Sequence, residues 1–129
     1  MKILIYGVHG SGKTSIAEPF AKLINGVYLN EHSVYSEFPD LDLTDELEKA
    51  KILHYYSRGI EHVGLISVID AVCPTQQFRD IINPDYTVWM DTVKSIDKFE
   101  KPQEVDYHVS EWFTDTPNQL LEVVTHYIK

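Results

Sequence analysis

The chain has 129 residues, 20 of them acidic and 11 basic, for a formal charge of −9. That length suits one domain, residues 1–129, with a core of its own, and the acidic balance argues against nucleic acid as a partner, because a duplex calls for a basic surface. The single cysteine, Cys73, excludes an intrachain disulfide framework and fits a reducing compartment, and no apolar run approaches the length of a membrane span.

Lys2-Ile3-Leu4-Ile5-Tyr6 is a short, nearly continuous apolar run, the pattern of a buried parallel strand. Gly7 breaks that run too early for a signal peptide, so a cytoplasmic protein without membrane contact is expected. Residues Gly7-Val8-His9-Gly10-Ser11-Gly12-Lys13-Thr14 follow, then Ser15. This is G-x-x-x-x-G-K-T, the phosphate-binding P-loop. Glycines let successive N–H groups turn inward as an anion nest. Lys13 is placed to reach β- and γ-phosphates, and the Thr14 hydroxyl is placed to hold Mg²⁺. The helix that starts here adds the positive end of its dipole. His9 borders the phosphates through its backbone.

Ile16, Ala17, Phe20, Ala21, Leu23 and Ile24 recur at three- and four-residue spacing, which predicts a helix with one apolar face. Pro19 lies inside it and removes a donor to the Ser15 carbonyl, so a kink or a short helix is expected. Asn25-Gly26 ends the helix. Val27–Asn30 reads as the second strand, and a polar stretch with a turn at Pro39-Asp40 follows. The next helix is predicted from Thr44, with Leu43, Leu47, Ala50, Leu53, Tyr56 and Ile60 as its inward stripe. Val63–Ile69 reads as the third strand, Pro74–Ile82 as a short helix and Tyr86–Met90 as the fourth strand. Residues 92–104 read as a loop or small lid, and Asp106–Val109 as a weak fifth strand. Thr116-Pro117-Asn118-Gln119 is a capping box opening a final helix, on which Leu120, Val123, Val124 and Tyr127 face the core. Alternating strands and helices predict a parallel sheet covered on both faces.

Several side chains are candidates for chemistry. Asp70 closes the strand beside the P-loop strand, where a metal- or water-positioning carboxylate would sit. Asp91 has a similar setting, but Asp91-Thr92 also suits a simple cap, so Asp70 is preferred. Glu31 and His32 follow the second strand, where either is placed to orient a hydroxyl nucleophile. A solvated loop histidine is the plain alternative for His32. Arg79 is a candidate contact to substrate phosphate or sulfate, or a partner for Asp80 or Glu31. Arg58 reads as structural. Trp112-Phe113 suits either an adenine contact or the core. The histidines and Cys73 lack zinc-ligand spacing.

Together, the P-loop, Ile69-Asp70-Ala71-Val72-Cys73-Pro74-Thr75, Arg79-Asp80 and Tyr86-Thr87-Val88-Trp89-Met90-Asp91-Thr92 resemble the adenylylsulfate kinase family, and in particular its short forms common in phage genomes. The resemblance implies a single P-loop kinase-like domain of the three-layer α/β P-loop NTPase fold with about five parallel strands. It implies ATP with Mg²⁺, and phosphoryl transfer to a ribose hydroxyl. Family roles carry over to Gly7 through Ser15, to Asp70 and to Arg79. At the acceptor side the chain departs: His32 stands where the family's Asp is expected, and Tyr35 where its Arg is expected. The expected function is therefore an ATP- and Mg²⁺-dependent phosphotransferase of a small hydroxyl-bearing acceptor, adenylylsulfate-like or nucleotide-like, in a monomer or homodimer. Lys13, Asp70, Glu31 and His32 would be catalytic, Thr14 and Asp70 would hold the metal, and Arg79 and Tyr35 would meet the acceptor. The alternative is a nucleotide-binding protein without turnover.

Overall fold

A computed structural model describes residues 1–94, 98–111 and 114–128. Five strands, β1 (Lys2–Tyr6), β2 (Val27–Asn30), β3 (Ser67–Ala71), β4 (Tyr86–Met90) and β5 (Tyr107–Val109), form one sheet in the order β2-β3-β1-β4-β5. Every pairing is parallel. The helices are α1 (Lys13–Leu23), α2 (Glu31–Tyr35), α3 (Glu46–His62), α4 (Gln76–Ile82) and α5 (Thr116–Ile128).

The two-residue period of the strands sorts the core into two layers. Ile3, Ile5, Val68, Val88 and Met90 face α1 and α5, where Ile16, Phe20, Leu120 and Val124 close over them. Leu4, Tyr6, Ile69 and Ala71 face the opposite layer, packed with Leu53, Phe78 and Ile82 of α3 and α4. β1 is central and buried along its whole length. The chain leaves β1 between strands whose connections run to opposite sides, which opens a crevice at the carboxyl ends of the strands.

Helix stops are set by local chemistry. Asn25 adopts φ 57°, and the Gly26 and Asn25 N–H groups donate to the carbonyls of Ala21 and Lys22, a Schellman end. α1 runs through Pro19; both Pro19 and Ser15 are on the exposed face, where water can satisfy the carbonyl that proline leaves unpaired. α3 ends in the same way as α1: Gly64 has φ 78°, and Gly64 and Leu65 N–H groups donate to Glu61 and Ile60 carbonyls.

That second stop moves the third strand. It was expected from Val63, but Val63 belongs to the helix end and is 71% exposed. β3 begins at Ser67 and includes Asp70, which lies between Ile5 and Asn30 in register. Asp45 rather than Thr44 caps α3, accepting from the Glu48 N–H; Leu43 and Leu47 therefore lie at or before its first turn and are exposed. The polar stretch after β2 contains a short helix, α2, that its composition does not predict. Asn30 caps it, with its side-chain oxygen accepting from the His32 and Ser33 N–H groups. Thr75 caps α4 in the same manner. Leu23 and Tyr127 sit at helix ends and are exposed rather than inward; the Tyr127 hydroxyl donates to the Asp85 carbonyl. The Trp112-Phe113 pair and residues 95–97 of the expected lid lie outside the described residues.

Candidate functional site

The P-loop joins the carboxyl end of β1 to α1, with Gly10 at φ 82° and Gly12 at φ 92°. A side chain is strained at such angles, so glycine permits the turn. Gly7 is required for a different reason. A Cβ there would lie 2.6 Å from the Met90 carbonyl oxygen and 2.9 Å from Ser11 Oγ, so the loop and β4 approach as closely as they do only without one. Thr92 pins the loop from the β4 side, its hydroxyl donating to the Ser11 carbonyl at 2.7 Å. Ser11 Oγ is buried and has no hydrogen-bond partner among the described residues.

Lys13 opens α1 and is 9% exposed. Its ammonium donates to the Val8 carbonyl at 3.2 Å. Burial lowers its pKa, while the carboxylates of Asp70 and Glu31 act in the opposite direction. The cation is thus held at the mouth of a loop whose N–H groups can cradle phosphate.

Asp70 is 2% exposed and is the hub of the site. One of its oxygens, Oδ2, accepts from Thr14 Oγ1 at 2.8 Å and from the Tyr28 hydroxyl at 2.6 Å. Asn30 Nδ2 reaches the same oxygen at 3.4 Å and the Tyr28 hydroxyl at 3.1 Å. The register explains the convergence. Tyr28 and Asn30 share one face of β2, two residues apart, and Asn30 is opposite Asp70. A hydroxyl and a carboxylate at this distance, open to one cleft, are the oxygen donors that Mg²⁺ prefers, so the chemistry of the pair fits that ion.

Glu31 follows β2 directly. It is 7% exposed, and its Oε2 accepts the Val72 N–H beyond the end of β3. Burial pushes its carboxyl above the ordinary value of 4.5; the Val72 hydrogen bond opposes that shift. His32 is next in chain and exposed, with its ring stacked on that of His9 at 6.0 Å between centroids. Lys13, Thr14, Ser15, Asp70, Glu31, His32 and His9 all line one cleft of about 270 Å³, together with Asn30, Gly10 and Gly12. The side chains singled out on the second strand's exit and on the P-loop thus meet in one space.

Two expected acceptor contacts are elsewhere. Arg79 is 3% exposed. Its Nε donates to the Cys73 carbonyl at 3.0 Å and its Nη2 to the Glu100 carbonyl, and the guanidinium lies over the rings of Tyr6 at 4.6 Å and Phe99 at 5.1 Å. It ties the turn after β3 to the segment after residue 98 rather than lining the cleft, and its partners are carbonyls and rings, not Asp80 or Glu31. Tyr35 points into the layer beneath α2. It is 7% exposed, with Lys49 Nζ 5.5 Å from its ring centre, and burial raises its pKa. Asp91 pairs with His108 at 2.9 Å, and that imidazole stacks on Trp89 at 4.8 Å. Cys73 is buried core, as expected, and burial raises its pKa well above the ordinary thiol value.

Sequence reasoning missed Tyr28 and Asn30. The available signal was Asn30 before Glu31, a helix cap followed by an acidic first-turn residue. The Tyr28 hydroxyl gave none, because its role depends on which strand lies beside β2.

No protein-family profile matches the chain, and no curated protein matches it. Solved structures do. The APS kinase CysC of Mycobacterium tuberculosis, in complex with AMPPNP and APS, superposes with a TM-score of 0.76 at 12% identity, covering 96% of each chain. A sugar kinase from Janibacter sp. gives 0.70 at 16% identity, covering 98% of this chain and 93% of that one. A gluconokinase from Sinorhizobium meliloti gives 0.67 at 16% identity, covering 98% and 92%. At these identities the likeness establishes the fold, the three-layer α/β fold of the P-loop kinases, with the adenylylsulfate kinases among its neighbours.

Proposed function

We propose that this chain, built on the P-loop kinase fold, is an ATP-dependent phosphotransferase acting on a small hydroxyl-bearing acceptor. The observation that carries the reading is the single cleft in which the P-loop, Lys13, the Thr14–Asp70 pair and the buried Glu31 meet. The loop N–H groups and the Lys13 ammonium would bind the β- and γ-phosphates and offset the charge that builds during transfer. Thr14 and Asp70 would hold Mg²⁺, which when bound neutralises charge on the phosphate oxygens. Tyr28 and Asn30 would keep the Asp70 carboxylate aimed at it.

Glu31 is the better-placed acceptor base. It is buried within the cleft, while His32 is exposed at the rim. Its raised pKa brings its basicity closer to working pH. In the balanced reaction the acceptor O–H bond breaks and its proton passes to the Glu31 carboxylate. The acceptor oxygen bonds the γ-phosphorus, and ADP leaves. A positioned base contributes about 10² to 10⁴ in rate. His32 would contact the acceptor without taking its proton.

Calorimetric titration with MgATP tests the base of this reading. Lys13→Ala should stay folded and bind MgATP at least about tenfold more weakly, as expected when a charge-assisted contact of about 1.4 kcal/mol or more is lost. Equal affinity in the folded variant would remove the reading. The second reading, nucleotide binding without turnover, is favoured by the tie between Glu31 and the Val72 N–H. It would be supported by MgATP binding with only background hydrolysis in the presence of acceptors.

A further inference from the structure

We propose that the acceptor is a neutral polyhydroxylated small molecule, sugar-like in its chemistry, and not a nucleotide, a sulfate ester or another anion. This rests on the phosphotransferase reading above and specifies the substrate class for that cleft.

An anionic acceptor arriving beside ATP needs positive groups of its own, and the oxygens of phosphate, sulfate or carboxylate are best held by guanidinium forks. The chain has two arginines. Arg79 is enclosed by backbone carbonyls and two aromatic rings. Arg58 is in the last turns of α3. That helix runs back towards the start of β3, so its end lies at the amino ends of the strands, away from the cleft at their carboxyl ends. Neither is available.

Nor do the described lysines other than Lys13 line the cleft. Lys13 is the cleft's one ammonium among the described residues and is required by the ATP phosphates. Lys49 on α3 pairs with Glu46 at 3.2 Å and covers the Tyr35 ring. Lys94 and Lys101 line a separate hollow with Asp91 and Thr92, after β4. In the order β2-β3-β1-β4-β5 that hollow is on one side of the P-loop strand, and α2, with Glu31 and His32, is on the other.

What the α2 side does offer suits hydroxyl groups. The Glu31 carboxylate supplies lone pairs, and the imidazoles of His32 and His9 supply one acceptor and one donor each when neutral. Hydroxyls both donate and accept, and so can satisfy such a set. A phosphate or sulfate only accepts, and would face the carboxylates of Glu31 and Asp70 across the same cleft. Asn30 is tied down by its neighbours, its amide oxygen accepting at the α2 cap and its Nδ2 donating towards Tyr28 and Asp70.

The test uses the full chain. MgATP binding is first confirmed by calorimetry. ATP consumption is then measured with neutral compounds (glycerol, ribose, glucose, adenosine) and with anionic ones (adenylylsulfate, adenosine monophosphate, gluconate). At least one neutral compound should have kcat/KM about tenfold or more above every anionic one, a margin of about 1.4 kcal/mol in transition-state binding. Glu31→Gln, which removes the base, should lower kcat for that neutral compound by about 10² or more while MgATP affinity falls far less, a split that a merely structural carboxylate would not produce. An anionic acceptor used equally well or better would overturn the proposal. So would MgATP binding with no neutral compound raising consumption above the acceptor-free rate, or an unchanged kcat in Glu31→Gln. Absence of MgATP binding would instead bring down the phosphotransferase reading, and this proposal with it.

Discussion

Replacing Arg79 separates a scaffold arginine from a substrate-binding one. Its guanidinium makes two hydrogen bonds to backbone carbonyls, those of Cys73 and Glu100, and a longer one to Gln76 Oε1 at 3.4 Å. It also lies over two aromatic rings. Hydrogen bonds from a charged donor are worth about 1.5–3 kcal/mol each, and a desolvated cation–π contact about 2 kcal/mol. The cost of keeping the cation buried offsets part of that total; burial already lowers its pKa. Arg79→Ala removes the cation but strands the buried Cys73 carbonyl, frees the partly buried Glu100 carbonyl and leaves a gap between Tyr6 and Phe99. A destabilisation of about 3–5 kcal/mol follows, in the range for breaking a buried network. With a urea m-value of about 2 kcal/mol/M, the unfolding midpoint should fall by about 1.5–2.5 M. Arg79→Lys keeps the charge but reaches fewer acceptors and should fall by about half as much. Equilibrium urea unfolding followed by tryptophan fluorescence measures both. MgATP affinity of folded Arg79→Lys, by calorimetry, should match wild type. A wild-type midpoint in Arg79→Lys combined with a tenfold loss of MgATP or acceptor binding would refute the scaffold role.

Three further outcomes are expected. Asp70→Asn should weaken nucleotide binding in Mg²⁺ more than in EDTA, and Asp91→Asn should not, because Asp70 is beside Thr14 whereas Asp91 pairs with His108; paired calorimetric titrations decide, and equal effects would mean that Asp70 is not the metal carboxylate. Glu31 has a raised folded pKa, so its contribution to stability is fully present below its unfolded pKa and is lost as pH rises through the folded one. Glu31→Gln should therefore gain Tm relative to wild type on going from pH 4 to pH 8, and a pH-independent difference would contradict the burial effect. Gly7→Ala should cost about 1–3 kcal/mol, since the new Cβ meets the Met90 carbonyl oxygen at 2.6 Å, and should weaken MgATP binding by displacing the loop; a wild-type melting curve with full affinity would show that the loop tolerates the contact.

The sequence alone determined whatever depends on neighbours in the chain. The P-loop, the strand before it and the helix after it are fixed by glycines at left-handed angles and by apolar spacing, so they were legible. Tyr86–Met90 was read with its observed bounds because a continuous apolar run between turns has one reading. The same locality misled at Val63, where apolar residues matched a strand; the decisive fact was Gly64, which only a left-handed helix end explains. Tertiary structure alone decided which separated residues meet. Asp70 lines the cleft with three partners because β2 and β1 flank β3 and place Tyr28, Asn30 and Thr14 around one oxygen. Arg79 reads in sequence as a contact to substrate phosphate or sulfate or as a partner of Asp80 or Glu31, yet its guanidinium is taken up by the carbonyls of Cys73 and Glu100. Those pairings join residues 6 and 21 positions apart, and no period or motif encodes them. Side-chain chemistry is written in the sequence, but whether a charge faces a cleft or a carbonyl is set by the packing of the sheet.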